Sequence, residues 1–478
     1  MKPQSWLFTF IGASVAAYLG TVAYIHHFDK QETQRRLQES QITDPQQRVV
    51  ETLLYNNGCQ YCHSNNANMP FYAKLPIASS LMEKDIQQGQ AHFLLDNITD
   101  YLNQPQRISA ADLAKLESVI QNNEMPIHSF KMVHWGSGLN DQEKATLLDW
   151  IHKVRQEYQL PANTSGTSAE RFVQPVPQSL PVNPAKVDLG NTLYHSTALS
   201  GDGTIACASC HGLNTGGVDN LATSTGIKGQ KGGINAPTVY NAAFNFAQFW
   251  DGRAANLAEQ AGGPPLNPVE MGAENWQQIV DNLNKDESLK QAFEKIYPEG
   301  FNEKTITTDA IAEFEKTLIT PNSPFDRYLQ GDENALTAAQ KNGYALFHQY
   351  KCDTCHTGVN LGGQSYELMG LKADYFADRN KPLTEADDGR FAQTKNPYDK
   401  HRFKVPTLRN VALTAPYFHD ANAQDLTQAV EMMLKYQSGV SLSKEQVSDI
   451  VDFLYSLTGE YQGKPLTNDN MKEQPSAN

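Results

Sequence analysis

The chain has 478 residues, enough for about three domains at a typical domain size of about 150 residues. Its formal net charge is −14, which argues against nucleic acid as a partner. Charged residues make up only 19% of the chain, and 32 glycines and 24 prolines interrupt it, so a large share of loop structure is expected.

The first element is an uncharged run at residues 6–25, WLFTFIGASVAAYLGTVAYI. A helix of these 20 residues, rising about 1.5 Å per residue, would span a hydrocarbon core of about 30 Å. Residues 1–28 are therefore expected to form a transmembrane anchor. A cleaved signal peptide is the alternative, but the run is long and no small-residue cleavage site closes it.

All six cysteines lie in three copies of one pattern, Cys-x-x-Cys-His. The copies are Cys59-Gln-Tyr-Cys62-His63, Cys207-Ala-Ser-Cys210-His211 and Cys352-Asp-Thr-Cys355-His356. Zinc sites and redox dithiols are the alternatives, but zinc usually recruits a second Cys or His pair, and a dithiol needs no His. Haem c uses this spacing because the thiols bind its two vinyl groups and the His ligates its iron. The pattern predicts three covalently bound haem c groups.

The three motifs are almost evenly spaced, which is typical of tandem cytochrome units. The predicted segments are an anchor at 1–28, a mono-haem domain at 29–160, a linker at 161–184, and haem domains at 185–322 and 323–478. The linker contains five prolines and no helical period. The predicted fold is mostly α, with three cytochrome c-type domains in tandem after an N-terminal transmembrane helix. Because haem c is attached outside the cytoplasm, the body is expected in the bacterial periplasm.

A haem with six ligands transfers electrons, whereas an open haem can bind a small molecule, so the sixth ligand of each haem matters. For the first haem, with His63 as the fifth ligand, the best candidate is Met125, which precedes Pro126 in a loop before the closing helix. A thioether ligand raises the haem potential, which suits an entry point for electrons. The alternative is that Met125 packs in the core and His128 or His134 ligates instead.

From about residue 185 to 460 the chain resembles the bacterial di-haem cytochrome c peroxidases. The stretches that carry the resemblance are NAPTVYNAAFNFAQFWDGRAANLAEQA at 235–261, GPPLNPVEM at 263–271 and RFKVPTLRNVALTAPYFHDA at 402–421. The additional haem unit and the apolar run resemble the tri-haem, membrane-attached branch, similar to quinol peroxidases of the bacterial inner membrane. This resemblance implies reduction of hydrogen peroxide to water with electrons from quinol or a small cytochrome, and relatives are often homodimers.

The resemblance also implies the ligands of the last haem, which would be His356 and Met433. Met432 lies beside Met433, so the type of ligand is better defined than its position. Related proteins that oxidise tryptophan on a partner protein have a Tyr at the position of Met433, which argues against that activity here.

The middle haem, held by His211, would be the one that binds peroxide. Many relatives cap this haem, when oxidised, with a loop His, but Ile227 stands at that position and no His occurs between His211 and His348. The middle haem is therefore expected to be open even when ferric. A cap from another residue is the alternative, and the candidates are Lys228, Lys231 and Met271. A tri-haem electron carrier, the rival function, would need such a cap.

Three further residues take catalytic roles from the resemblance. Glu270 matches the catalytic Glu that moves a proton between the two peroxide oxygens, and Gln260 matches its amide partner, which orients peroxide. Trp250 matches a Trp between the two haems that aids electron transfer, although a buried Trp is often only core packing.

A calcium ion is also implied, bound by the side chain of Asn235 and the backbone carbonyls of Thr414 and Pro416. Three oxygen ligands are too few for Ca²⁺, so water molecules would complete its shell.

Overall fold

The computed structural model describes residues 3–104, 108–157 and 173–467, without the side chains of 3–9 and 308. The chain divides into two compact units, Met1–Ala162 and Asn163–Asn478. The fold is mostly helical, as predicted, and the strands of the described residues form two small antiparallel sheets.

The first unit is a helical bundle. Its helices are α1 (Pro3–Glu39), α2 (Pro45–Asn56), α3 (Gln60–His63), α4 (Pro76–His92), α5 (Leu95–Asn103), α6 (Ala110–Gln121), α7 (His128–Lys131) and α8 (Asp141–Glu157). Helix α2 begins sharply because the Asp44 side chain accepts a hydrogen bond from the Gln47 amide and Pro45 occupies the first turn. Val50 and Leu54 of α2 pack with Leu147 and Ile151 of α8, so the predicted helices before and after the first motif share one core.

Helix α1 runs without a break through the predicted anchor and the polar segment that follows it. Val22 and Ile25 are buried, and Tyr61 donates a hydrogen bond to Asp29 at 2.8 Å. This part of the helix therefore packs on protein, because its apolar face is used in the core of the first unit. Across the described part of the chain, no helix is both long enough and apolar enough to cross a membrane. The expected span at 1–28 is thus not found there, and its first residues lie outside the described side chains.

The second unit contains the other two motifs. Its helices are α9 (Pro184–Tyr194), α10 (Cys207–Cys210), α11 (Leu257–Ala261), α12 (Trp276–Leu283), α13 (Glu287–Glu294), α14 (Ala312–Glu315), α15 (Pro324–Leu329), α16 (Ala338–Gln349), α17 (Tyr375–Asp378), α18 (Phe391–Thr394), α19 (Leu426–Met433) and α20 (Lys444–Tyr455). Two π-helical segments, Thr305–Ile311 and Leu434–Ser438, adjoin α14 and α19. The strands are β1 (Tyr366–Leu368), β2 (Arg402–Lys404), β3 (Glu460–Tyr461) and β4 (Lys464–Pro465).

We call residues 184–322 the CASCH half of this unit and residues 323–467 the CDTCH half. In the CDTCH half, α20 begins with the predicted capping box, in which Ser443 and Gln446 each bind the backbone amide of the other. The sheets are local: β1 pairs with β2 through Tyr366 and Lys404, and β3 pairs with β4.

The described residues of the predicted linker at 161–184, from 173 onward, pack on the second unit. Val173 and Val176 are each 1% exposed. The Val176 amide donates to Asp326 at 3.1 Å, and the Arg409 guanidinium donates to the Gln174 carbonyl at 2.8 Å. The segment therefore packs on both halves: Val173 belongs to the apolar core of the CDTCH half, and Val176 packs with Phe244 and Ile319 of the CASCH half.

Helices α16 and α20 cross at Gly343, where a Cβ would collide with the Asp449 carbonyl oxygen and lie 2.9 Å from the Phe453 Cβ. We expect Gly343→Ala to lower the free energy of unfolding by about 1–3 kcal/mol, because the helices must separate. Gly233→Ala is the matched control, since a Cβ at Gly233 meets no atom within 4 Å. Equal stabilities of the two variants in chemical denaturation would show that the crossing is not tightly packed.

Candidate functional site

Each Cys-x-x-Cys-His motif forms a single helical turn. The His amide donates to the carbonyl of the first Cys at 3.1 Å in the first motif, 3.0 Å in the second and 2.9 Å in the third. Residues three and four positions apart then lie on one side of the turn, which brings both thiols and the imidazole together. All six cysteines are free of disulfide bonds.

The imidazole of each motif is oriented by a backbone carbonyl. The distances from Nδ1 to the carbonyl oxygen are 3.1 Å for His63 and Phe93, 3.4 Å for His211 and Gly217, and 3.1 Å for His356 and Leu361. When Nδ1–H donates to this carbonyl, Nε2 is left as the lone-pair nitrogen that can ligate iron. Burial lowers the pKa of all three imidazoles, that of His356 to about 4, so each is neutral, as a metal ligand must be.

The thiols fit covalent haem attachment better than the alternatives. Burial raises the pKa of Cys59, Cys207 and Cys352 to about 12, whereas thiols of redox dithiols have lowered pKa values. Zinc would need further ligands, yet among the described residues the one cluster of potential metal ligands is Asp387, His419 and Asp420, with no cysteine in it. The residues of the three motifs therefore fit haem c.

Glu270 lies on the loop that faces the CASCH motif. Asn267 donates to its carboxylate at 2.9 Å, and Ile227 donates to its backbone carbonyl at 2.8 Å. Burial raises the pKa of Glu270, whereas the nearby Arg253 and the Asn267 hydrogen bond lower it. Its charge in turn raises the pKa of the Cys210 thiol, so the structure brings the predicted catalytic acid close to the predicted middle haem.

Ile227, at the expected capping position, and the three alternative capping residues are not placed as a ligand of the middle haem would be. Ile227 is 5% exposed and packs where a Cβ on Gly272 would lie. Lys228 and Lys231 are exposed on the same loop. Met271 is 3% exposed and belongs to the apolar core of the CASCH half.

Gln260 lies in the last turn of α11, just before the loop that carries Glu270. Its backbone carbonyl accepts from the Gly263 amide at 3.1 Å, which fixes the start of that loop. Among the described residues, no hydrogen bond joins the side chains of Gln260 and Glu270. The two residues lie on neighbouring segments of the chain.

Trp250 connects the two halves of the second unit. Its indole N–H donates to the Asn235 carbonyl at 2.9 Å, and its own carbonyl accepts from the Lys404 amide at 2.8 Å. The indole ring lies 6.3 Å from the ring centres of both Phe403 and His419. Trp250 therefore contacts both halves of the second unit.

The three predicted calcium ligands belong to the same interface. Asn235 donates through Nδ2 to the Leu221 carbonyl at 2.9 Å, and the neighbouring Asn220 donates to the carbonyls on either side of Thr414, at 2.9 and 3.1 Å. Pro416 follows two residues after Thr414. An amide oxygen and backbone carbonyls are donors that Ca²⁺ accepts, so the residue types fit this ion.

Met433 ends α19, as expected for a ligand on a helix after the PYFHD stretch. Met432 and Met433 are both half-buried and both pack on the cluster that contains Met369 and Tyr375. Packing therefore does not show which of these two methionines would ligate the last haem.

In the first unit, Met125 is 40% exposed, so it is not a core methionine. Both ring nitrogens of His134 are used: Nε2 lies 2.6 Å from the Tyr72 hydroxyl and Nδ1 lies 2.7 Å from Asp29. His128 is exposed at the start of α7. Of these three residues, His134 is thus unavailable to the first haem.

Sequence reasoning missed Glu315, at the end of α14. This carboxyl is 6% exposed, and burial raises its pKa to about 8. A signal was present, because Ile311, Phe314 and Leu318 define an apolar face on which Glu315 also falls at helical spacing.

Comparisons with known proteins agree with this site. The model of the di-haem cytochrome c peroxidase family matches residues 184–334, and that of a haem-binding domain matches residues 17–153. A crystal structure of a MauG-like protein associated with microbial copper homeostasis superposes with a TM-score of 0.54 at 28% identity, covering 63% of this chain and 95% of that chain.

Curated relatives extend over nearly the whole chain. The cytochrome c peroxidase of Escherichia coli (strain K12) is 50% identical over 446 residues, which cover 93% of this chain and 94% of the relative. The cytochrome c551 peroxidase of Nitrosomonas europaea is 43% identical over 324 residues, covering 66% and 94%. With its haem c motifs and the Glu270 loop beside one of them, the chain belongs to the di-haem cytochrome c peroxidase family and is a cytochrome c-type peroxidase, an oxidoreductase.

Proposed function

We propose that this peroxidase reduces hydrogen peroxide to water at the middle haem, attached through Cys207 and Cys210 and ligated by His211. The observation that carries the proposal is the position of Glu270, a partly buried carboxyl whose loop faces this motif. A haem in this position would supply the iron that binds peroxide and the route by which electrons reach it.

Glu270 supplies the proton transfer. As a carboxylate it takes the proton from the inner peroxide oxygen, and as an acid it returns that proton to the outer oxygen, which leaves as water. Arg253 and Asn267 favour the carboxylate that the first step needs, while burial favours the acid that the second step needs. Gln260 orients peroxide from the preceding segment. Two electrons and two protons then convert one hydrogen peroxide into two waters.

We also propose three haems and a defined order of electron transfer. A first haem held by His63 and Met125 would accept electrons, a last haem held by His356 and Met433 would relay them, and the middle haem would deliver them to peroxide. The common geometry of the three motifs supports the haem number, and the engagement of both nitrogens of His134 supports Met125 over that residue. Trp250, between the halves, supports the last step.

Two further parts of the proposal concern the surroundings of the protein. The uncharged run at 6–25, with Phe10 and Val15 exposed on α1, supports attachment to a bacterial inner membrane with the body in the periplasm. Quinol is then a reachable donor, and the name of the Nitrosomonas relative supports a small cytochrome as the other. Asn235, Thr414 and Pro416 would hold a calcium ion that joins the two halves.

Glu270→Gln should lower turnover with hydrogen peroxide by about 100- to 10,000-fold, because proton transfer by a positioned side chain contributes that much. The haem content and the haem absorption spectrum should not change. Glu274→Gln, which alters an exposed carboxyl four residues away, is the matched control and should keep full turnover. Normal turnover of Glu270→Gln would remove this residue from the reaction.

Arg253→Gln should move the acid limb of the pH profile of kcat/KM to higher pH. Burial already raises the pKa of Glu270 and Arg253 opposes this effect, so loss of the cation raises that pKa further. The carboxylate that accepts the first proton is then lost earlier as the pH falls. Arg253→Lys keeps the positive charge, so the acid limb of its kcat/KM profile should match that of the native protein. Identical limbs in both variants would show that Arg253 does not act on Glu270.

The fully oxidised protein should contain one high-spin haem that responds at once to one equivalent of hydrogen peroxide. The physical reason is that Ile227 has no ligating atom and Met271 is held in the core. Electronic absorption before and after peroxide measures this. A wholly low-spin spectrum that ignores peroxide would mean that another residue caps the iron, and that the enzyme must first be reduced.

A further inference from the structure

A second carboxyl lies near the CASCH motif, away from the Glu270 loop. Glu315 ends α14, which packs against α9 so closely that a Cβ on Gly190 would lie 2.7 Å from the Phe314 Cβ. Glu315 is 6% exposed, and its Oε2 has no hydrogen-bond partner among the described residues. An ionised carboxylate without a partner in such a place is strongly unfavourable, so this position favours a group that can lose its charge.

The CASCH motif lies close to this carboxyl. Phe314, the residue before Glu315, packs in one apolar cluster with Tyr194 and with Cys207 of the motif. Burial raises the pKa of both the Cys207 thiol and the Tyr194 phenol, and the charge of Glu315 raises it further. Tyr194 packs its ring 5.2 Å from that of Phe314 and donates its hydroxyl to the carbonyl of His211 at 2.6 Å. One tyrosine therefore separates Glu315 from the backbone of the residue expected to ligate iron.

Among the described residues, no cationic side chain is paired with this carboxyl. On the helix packed against it, Lys186 pairs with Asp309 at 3.6 Å instead, and Glu259 of α11 is exposed. The groups that face Glu315 are thus Cys207, from the motif, and Tyr194, from α9. Burial alone raises its pKa to about 8, so the carboxyl is mostly neutral at pH 7.

We propose that Glu315 exchanges a proton with solvent when the middle haem changes its oxidation state. When one electron leaves the haem, one proton leaves Glu315, and the new carboxylate offsets the added positive charge; when the electron returns, the proton returns. Such compensation matters because charges interact strongly in a poorly hydrated interior. The inference rests on the proposed function only in assigning the haem at Cys207 and Cys210 as the peroxide-reducing one.

The first test is the midpoint potential of the middle haem as a function of pH in the full-length holoenzyme. In the native protein the potential should fall as the pH rises through about 8, since the oxidised haem favours the carboxylate. Glu315→Gln keeps the shape of the neutral acid but cannot ionise, so its potential should match the native one well below pH 8 and lie above it at higher pH. Glu294→Gln, an exposed acid of the same half, should follow the native curve.

The second test is spectroscopic. Infrared difference spectra between the fully oxidised and the fully reduced holoenzyme should contain the C=O stretch of a protonated carboxyl group that disappears on oxidation of the middle haem. That band should be absent from Glu315→Gln and present in Glu294→Gln. A native spectrum without the band, or potentials of Glu315→Gln that parallel the native curve at every pH, would overturn the proposal.

A failure of the Glu315 proposal can be distinguished from a failure of the proposed function. Both tests follow the haem at Cys207 and Cys210 without peroxide turnover. Loss of the peroxide response, with the proton coupling intact, would count against the assignment of the peroxide site alone. Loss of the coupling, with normal peroxide chemistry, would count against Glu315 alone.

Discussion

The constraint on which the rest of the structure depends is the fixed orientation of three imidazoles by three backbone carbonyls. A Cys-x-x-Cys-His turn places its sulfurs by local helical geometry, but the ring of the His needs a partner from outside the turn. The carbonyls of Phe93, Gly217 and Leu361 provide it, and each lies in a loop rather than a regular element. This explains why so loop-rich a chain still presents the same metal-binding nitrogen three times.

The second unit holds its loops with polar contacts that are themselves buried. Arg409 and Asp326 form an ion pair at 2.9 Å with almost no exposure of either side chain, and Arg409 also binds the carbonyl of Gln174 in the segment before α9. A buried pair of this kind is poor evidence for high stability, but removal of one partner leaves an uncompensated charge. The pair therefore favours one specific path of the chain around the CDTCH half.

Much of this architecture follows from local signals. The capping box at Ser443 and the apolar spacing of Leu147 and Ile151 are signals within a single helix, and both helices form. The placement of Glu270 beside the CASCH motif was also expected, but only through a resemblance of long stretches. From hydrophobic periodicity alone, Glu270 would have been interpreted as an ordinary acidic residue in a loop.

The features that escaped sequence reasoning depend on long-range packing. Nothing local in a Pro-rich segment indicates that Val173 and Val176 are buried, because their partners lie far along the chain. The burial of Val22 and Ile25 on helix α1 likewise has no local signal, because their uncharged neighbours Phe10 and Val15 are exposed. The apolar face that contains Glu315 can be recognised in the sequence, but a single acidic residue on such a face is easily taken for an exception.

The hydrogen bond between the Ile227 amide and the Glu270 carbonyl has a consequence for how this protein can evolve. The two loops touch through Gly226 and Gly272, where a side chain would collide with the backbone of the Glu270 loop or with Ile227. Neither loop can lengthen or gain bulk without displacing the other. A substitution that placed a larger side chain on either loop would therefore also displace Glu270, so positions 227 and 270 cannot change independently.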